Sequence, residues 1–212
     1  MVFANLITLS RLPLLVVVLS FLFYIPSWTG QLLGLAFLGV LFFLDWLDGY
    51  VARRRRETSE LGAVLDIALD RAVENILWVA FMRLDLVPFW VPVVFLVRSF
   101  VVDGIRGVAA AQGRPGFSMM HSPWGRFLVA SRFMRGLYGL AKGVTFASLW
   151  LSHSLSQQDP RYLALLAPLN QALIWLCVVL CVGRGLPVLL DGRLYFPKDF
   201  RPPSPKPEEK PW

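Results

Sequence analysis

Charge is scarce in this chain: Asp, Glu, Lys and Arg make up 17% of its 212 residues, against 56% hydrophobic ones. That balance excludes a soluble domain of this size and points to the bilayer as the solvent. Cysteine and histidine are scarcer still, with two of each. Cys177 and Cys181 are four apart and distant in sequence from His121 and His153. No zinc-ligand spacing results, and packing is the role expected of the two thiols. Long polar stretches are missing as well. Apolar runs near the ~20 residues needed to cross ~30 Å of hydrocarbon recur along the chain, leaving no room for a separate soluble domain. There is no internal repeat of the transporter kind. No basic region precedes the first apolar segment, which Arg11 interrupts, so a retained helix is expected rather than a cleaved signal.

What is present reads as an all-α integral membrane protein with six transmembrane helices. The spans are predicted at Leu6 to Tyr24, Gln31 to Arg53, Leu61 to Met82, Val87 to Ala110, Arg126 to Leu151 and Tyr162 to Leu190. With a cytoplasmic N-terminus, the outer connections hold only Arg83 and Arg161 of the 21 Lys and Arg residues. The positive-inside rule selects that orientation. The inner side receives Arg53 to Arg56, Arg114, Arg193, Lys198, Arg201, Lys206 and Lys210. The net charge of +7 is therefore a matter of topology and anionic lipid, not of nucleic acid. Residues 1–190 form the membrane domain. Residues 191–212 form a Pro-rich basic cytoplasmic tail with five prolines between Pro202 and Pro211, expected to be largely disordered.

Four carboxylates fall where apolar residues are expected. Asp45, Asp48, Asp66 and Asp70 lie inside spans two and three. Each would cost ~2.5 to 3.5 kcal/mol at the bilayer centre, so they require compensation. Asp45 and Asp48 are three apart, Asp66 and Asp70 four apart, so each pair projects from one helix face. Folding the two spans back through the polar turn near Arg54 to Ser59 brings Asp48 level with Asp66 and Asp45 level with Asp70. Four acids meeting without four matching cations make a setting for hard divalent metals. Mg²⁺ or Mn²⁺ suits such a site where it also opens to phosphate and water. Gly49 and Gly62 allow a ligand to approach the backbone, Ala52 keeps that approach small, and Arg53 can meet a phosphate or carboxylate bidentately.

Taken together, Asp45-x-x-Asp48-Gly49-x-x-Ala52-Arg53, eight residues, then Gly62-x-x-x-Asp66-x-x-x-Asp70, resembles the signature of the CDP-alcohol phosphotransferases at every defining position. The resemblance covers roughly residues 1 to 190. It implies a polar metal-binding cavity open to the cytoplasmic side, two ions held by the four aspartates, and Asp70 as general base. It also implies that Gly49, Ala52, Arg53, Ser59 and Gly62 line the CDP donor, most simply CDP-diacylglycerol, whose phosphatidyl group passes to an alcohol as CMP leaves. Asn5, Thr8, Arg11 and Pro13 match an Asn-x-x-Thr-x-x-Arg segment found in several branches, where the Asn and Thr approach the nucleotide or diphosphate. Interfacial helix-start residues are the alternative for Asn5 and Thr8. The implied location is a bacterial cytoplasmic membrane with the site facing the cytoplasm; a homodimer is left open.

Span four carries Arg98 and Arg106 with Asp103 between them. Intramembrane arginines call for an anionic partner. Their spacing, with Ala109, Ala110 and Gly113 following, resembles the phosphatidylglycerophosphate synthase branch, whose acceptor is glycerol 3-phosphate. Arg98, Arg106 and Arg126 are then the candidate ligands of the acceptor phosphate. That branch commonly has Gly-Lys-x-Lys-Thr at the start of span five, whereas here Gly125 and Arg126 are followed by Phe127, Leu128 and Val129. Asp70-Arg71 also resembles the phosphatidylinositol phosphate synthase branch, and Arg132 and Arg135 suit either phosphorylated acceptor. An ion or metal transporter would keep acids and bases in its spans too, but has no need of the glycines and the Ala-Arg pair at these spacings. Finally, Glu74 and Lys142 are expected at similar depth on spans three and five. They either neutralise one another, or Lys142 reaches outward while Glu74 is protonated or pairs with Arg71 or Arg98.

Overall fold

The computed structural model describes residues 3–55, 60–111 and 125–192. Those residues form six long helices and, among them, no strand. We label them α1 Phe3–Tyr24, α2 Trp28–Arg55, α3 Glu60–Arg83, α4 Trp90–Ala111, α5 Arg132–Ser156 and α6 Arg161–Gly192. All but α5 coincide with the predicted segments to within three residues. Two stretches, Trp28–Asp45 and Arg161–Asp191, are long and apolar enough to cross a membrane by length and composition. The central helices are interrupted by charge, as α3 is by Asp66, Asp70, Arg71 and Glu74.

The fifth segment departs from expectation. In place of one helix from Arg126, a five-residue π-helical turn, Arg126–Ala130, precedes α5, and Ser131 between them is extended (φ −59°, ψ 133°). The break has a tertiary cause. The Leu128 carbonyl accepts a hydrogen bond from Arg184 Nη1 of α6 at 2.9 Å, and Val129 is buried with Val102 and Val188 between α4 and α6. At the other end of the chain α6 continues to Gly192, just past the predicted limit, and the rest of the Pro-rich tail lies outside the described residues.

Tight connections set the helix pairing. Ser27 starts α2, its Oγ accepting from Gly30 N at 3.3 Å, as an N-cap does. Gln31 donates its amide to the Phe21 and Ile25 carbonyls at 3.1 and 2.7 Å, satisfying the exposed end of α1. The Gln31 carbonyl in turn accepts from Trp150 Nε1 at 3.0 Å, which fixes α5 against the α1–α2 hairpin. Gly34 permits this approach, since a Cβ there would stand 2.5 Å from the Trp150 ring and 2.7 Å from Phe21 Cβ. Helix α1 packs on α2 and α3, α3 on α4, and α6 on α4 and α5.

The core is centred on Trp78, whose ring centroid lies 4.7 Å from Phe95 and 4.8 Å from Phe146, with Phe81 stacked on Phe146 at 5.8 Å. Cys177 and Cys181 are buried free thiols, and Cys177 Sγ lies 3.2 Å from Thr145 Oγ1, in keeping with a packing role. The outer surface is apolar: Phe100, Leu165, Val179 and Val97 are all exposed. A surface of this kind is suited to lipid.

Candidate active site

Helix α3 divides the polar interior because successive residues on it point about 100° apart. Asp66 and Asp70 turn toward α1 and α2. Arg71 and Glu74 turn toward α4 and α5.

On the first side, the carboxylates converge on a residue of α1. Arg11 Nη1 lies 2.8 Å from Asp45 Oδ1 and 3.7 Å from Asp66 Oδ1, while Arg11 Nη2 lies 3.6 Å from Asp70 Oδ1. The arginine side chain is 1% exposed and the aspartates are 39%, 47% and 40% exposed, so the cation forms the floor and the acids the open side. The predicted meeting of the two hairpin arms is realised for these three. The three acids share a single cation, Arg11, which α1 supplies by packing against both α2 and α3, so they outnumber the positive charge that meets them here. Asp48 belongs to α2, but its side chain lies outside the described residues, as do those of Asn5, Thr8, Ala52 and Arg53; Gly49 is described only as part of α2, and Ser59 not at all. Gly62 is part of α3, near its start.

Among the described residues, no three carboxylate, imidazole or thiol groups are gathered closely enough to hold a single ion. Asp45, Asp66 and Asp70 gather instead around a guanidinium. The donor set nevertheless fits hard divalent cations: half-exposed carboxylates from two adjacent helices, one cation at their base, and a further aspartate three residues from Asp45.

The second side is a continuous charged chain. Glu74 is buried and meets Lys142 Nζ at 3.0 Å, Arg71 Nη1 at 3.0 Å and the Tyr138 hydroxyl, which donates to its Oε1 at 2.8 Å. The Glu74–Lys142 pair is therefore present, and Arg71 shares the same carboxylate. Lys142 also sits over the Tyr138 ring, 4.5 Å from its centroid. Arg71 continues through Nε to Asp103 Oδ2 at 3.3 Å, and Asp103 Oδ1 lies 3.7 Å from Arg106 Nη1. Both carboxylates are thus already shared between two cations.

Beside this chain, cations outnumber their partners. Arg98 is buried, and its Nε and Nη1 have no hydrogen-bond partner among the described residues. Arg106 is within electrostatic reach of Arg98, Arg184 and Arg71. Arg184 is buried on α6, with its guanidinium 5.4 Å from the Tyr138 ring centroid and its Nε also without a partner. Arg98, Arg106 and Arg184 thus lie within electrostatic range of one another. Arg184 was missed by motif reasoning, although an arginine inside a long apolar helix is itself a signal. The Arg126 side chain lies outside the described residues; its backbone begins the π-helical turn that Arg184 holds. Unpaired buried guanidinium donors are costly and suit a compact, multivalent anion such as a phosphate.

An acidic cluster on a two-helix hairpin, set back to back with a group of buried arginines, defines a class. The chain belongs to the CDP-alcohol phosphatidyltransferase family, whose profile matches residues 1–183. Among individual relatives, it is 35% identical over 69 residues to the CDP-diacylglycerol–glycerol-3-phosphate 3-phosphatidyltransferase of Bacillus subtilis, covering 32% of this chain and 36% of that one. It is 31% identical over 113 residues to the protein of the same name from Pseudomonas fluorescens, covering 52% and 57%. It is also 31% identical over 100 residues to a putative cardiolipin synthase of Mycobacterium tuberculosis, covering 47% and 46%. The chain thus aligns with between about a third and just over half of the length of these relatives.

Proposed function

We propose that this protein transfers a phosphatidyl group from CDP-diacylglycerol to glycerol 3-phosphate and releases CMP, as a six-span enzyme with its N-terminus and site on the cytoplasmic side. The observation that carries this reading is the placing of the buried Arg98 and Arg184 and the half-buried Arg106 beside an aspartate cluster of the family's spacing. One group suits a phosphorylated alcohol, the other a metal-bound diphosphate.

Asp45, Asp48, Asp66 and Asp70 would hold the divalent ions, Mg²⁺ or Mn²⁺, two per site. When bound, such ions neutralise diphosphate charge and polarise the phosphoryl group. The chain's own residues do the rest. Asn5, Thr8, Gly49, Ala52, Arg53, Ser59 and Gly62 receive the nucleotide end of the donor. Arg98, Arg106, Arg184 and Arg126 bind the acceptor phosphate and aim its free hydroxyl toward Asp70, which takes the hydroxyl proton. A new acceptor O–P bond then forms at the lipid-side phosphorus as the bond to CMP breaks, and CMP leaves with the electron pair. A carboxylate is a weak base toward an alcohol, so most of the rate comes from holding both substrates in line.

A second reading concerns the acceptor alone. A cavity of about 350 Å³ between α4 and α6 has an apolar lining that includes Val93, Val97, Val101, Val182, Leu186 and Arg98. It would admit an acyl chain beside the arginines, and so favours a phospholipid acceptor such as phosphatidylglycerol, in keeping with the name of the mycobacterial relative. A phosphatidylinositol phosphate synthase-like acceptor would use the same arginines. The family-level test is CMP release by the purified protein from CDP-diacylglycerol. Release should require an acceptor and Mg²⁺ or Mn²⁺, and should vanish in Asp70→Asn while donor binding persists. Full activity in metal-free buffer would overturn it.

A further inference from the structure

We infer that Arg11 is a built-in counter-ion of the aspartate cluster: a positioning residue that keeps Asp45, Asp66 and Asp70 together when no divalent ion is bound and so makes the stability of the bundle nearly independent of metal occupancy. The inference rests on the metal-binding reading given above.

Asp45 comes from α2, and the pair Asp66 and Asp70 from α3. Like charges at such range repel strongly wherever water is restricted, and would splay the arms of the hairpin. Arg11 reaches all three from a third helix, at 2.8, 3.7 and 3.6 Å, with 1% of its side chain exposed. A planar guanidinium can present separate nitrogens to different carboxylates, as it does here with Nη1 and Nη2; an ammonium offers a single point charge. Burial of the cation below half-exposed acids leaves the open side of the cluster to a second, exchangeable positive charge. Arg11 and bound ions are then partly redundant: each can gather the carboxylates without the other. A merely structural role, anchoring α1 to α2 and α3, makes a different prediction. Loss of that anchor would cost the same with or without metal.

The test compares wild-type protein, Arg11→Met and Arg11→Lys in detergent. Thermal unfolding is followed in saturating Mg²⁺ and after chelation, and Mn²⁺ binding is read by electron paramagnetic resonance. Chelation is expected to lower the wild-type Tm only slightly. It should lower that of Arg11→Met several-fold more, with Arg11→Lys between the two. Recovery of Arg11→Met only in the presence of metal is the extreme of the same result. Failure to recover it under either condition passes the decision to Arg11→Lys, whose chelation shift must exceed that of wild type. Equal chelation shifts in wild type and variants, with Mn²⁺ bound to all, would overturn the role of Arg11 and leave the metal site standing. Absence of Mn²⁺ binding in wild type would instead overturn the metal reading itself, and the inference with it.

Discussion

Replacing Glu74 by Gln removes one charge from the middle of the buried chain while preserving shape. Glu74 has three partners, Lys142 and Arg71 at 3.0 Å each and Tyr138 at 2.8 Å, and only 4% of its side chain is exposed. Leaving a buried partner uncompensated costs about 3–5 kcal/mol. Here Arg71 keeps Asp103, Lys142 keeps the face of Tyr138, and the Gln amide oxygen can still accept from the Tyr138 hydroxyl. The lower end, about 3 kcal/mol, is therefore expected. For a chain of this size that corresponds to a fall in Tm of about 6–12 °C. Lys142→Met takes away one of three partners and leaves Arg71 and Tyr138 on the carboxylate, so about 1.5–3 kcal/mol is expected, the worth of a hydrogen bond to a charged group. The double variant should cost less than the sum of the singles by about 1–2 kcal/mol, because removing both ends abolishes the unpaired charge. Thermal unfolding of the four proteins in one detergent measures the cycle. Strict additivity, with each single shift under about 1 °C, would refute the view that the chain of charges holds α3, α4 and α5 in place.

Two further predictions follow from the same geometry. Arg98→Ala, Arg106→Ala and Arg184→Ala should each raise the KM for a phosphorylated acceptor by about 10- to 150-fold, the equivalent of losing a charge-assisted hydrogen bond worth about 1.5–3 kcal/mol. The KM for CDP-diacylglycerol should change far less; steady-state kinetics with either substrate varied would expose an equal effect on both and so remove the arginines from the acceptor side. Gly34→Ala should cost about 1–3 kcal/mol by forcing apart Trp150 and Phe21, while Gly39→Ala on the same helix, where a Cβ meets nothing within 4 Å, should be neutral or slightly stabilising. Comparable melting temperatures for the two would show that α2 does not depend on the close approach at Gly34.

The helices were legible because apolar runs bounded by polar turns leave little freedom in a bilayer-sized segment. The aspartate pairs were legible because helical spacing and hairpin depth together bring Asp45, Asp66 and Asp70 to one place. The Glu74–Lys142 pair followed from the same depth argument, which counts residues along helices of known rise. Arg11 was not assigned to the cluster, since spacing within a chain does not reveal that α1 lies against both arms of the hairpin. Its charge read as an interruption of an apolar run and as the last position of the Asn-x-x-Thr-x-x-Arg match, with no partner assigned. Arg184 escaped for a related reason: it belongs to no motif, and its neighbours Arg98, Arg106 and Tyr138 come from two other helices. The π-helical turn at Arg126–Ala130 was invisible because neither glycine nor proline marks residues 126–135; its cause is a side chain from α6 taking the Leu128 carbonyl.

The most direct test of the central claim is product identity. Purified protein in Mg²⁺ would be given CDP-diacylglycerol with glycerol 3-phosphate, phosphatidylglycerol, inositol phosphate or serine in separate reactions, with CMP release and the lipid product followed by mass spectrometry. The account predicts CMP release in step with phosphatidylglycerol phosphate formation from glycerol 3-phosphate, and little turnover with serine. Preferential use of serine, or no CMP release with any acceptor, would contradict it.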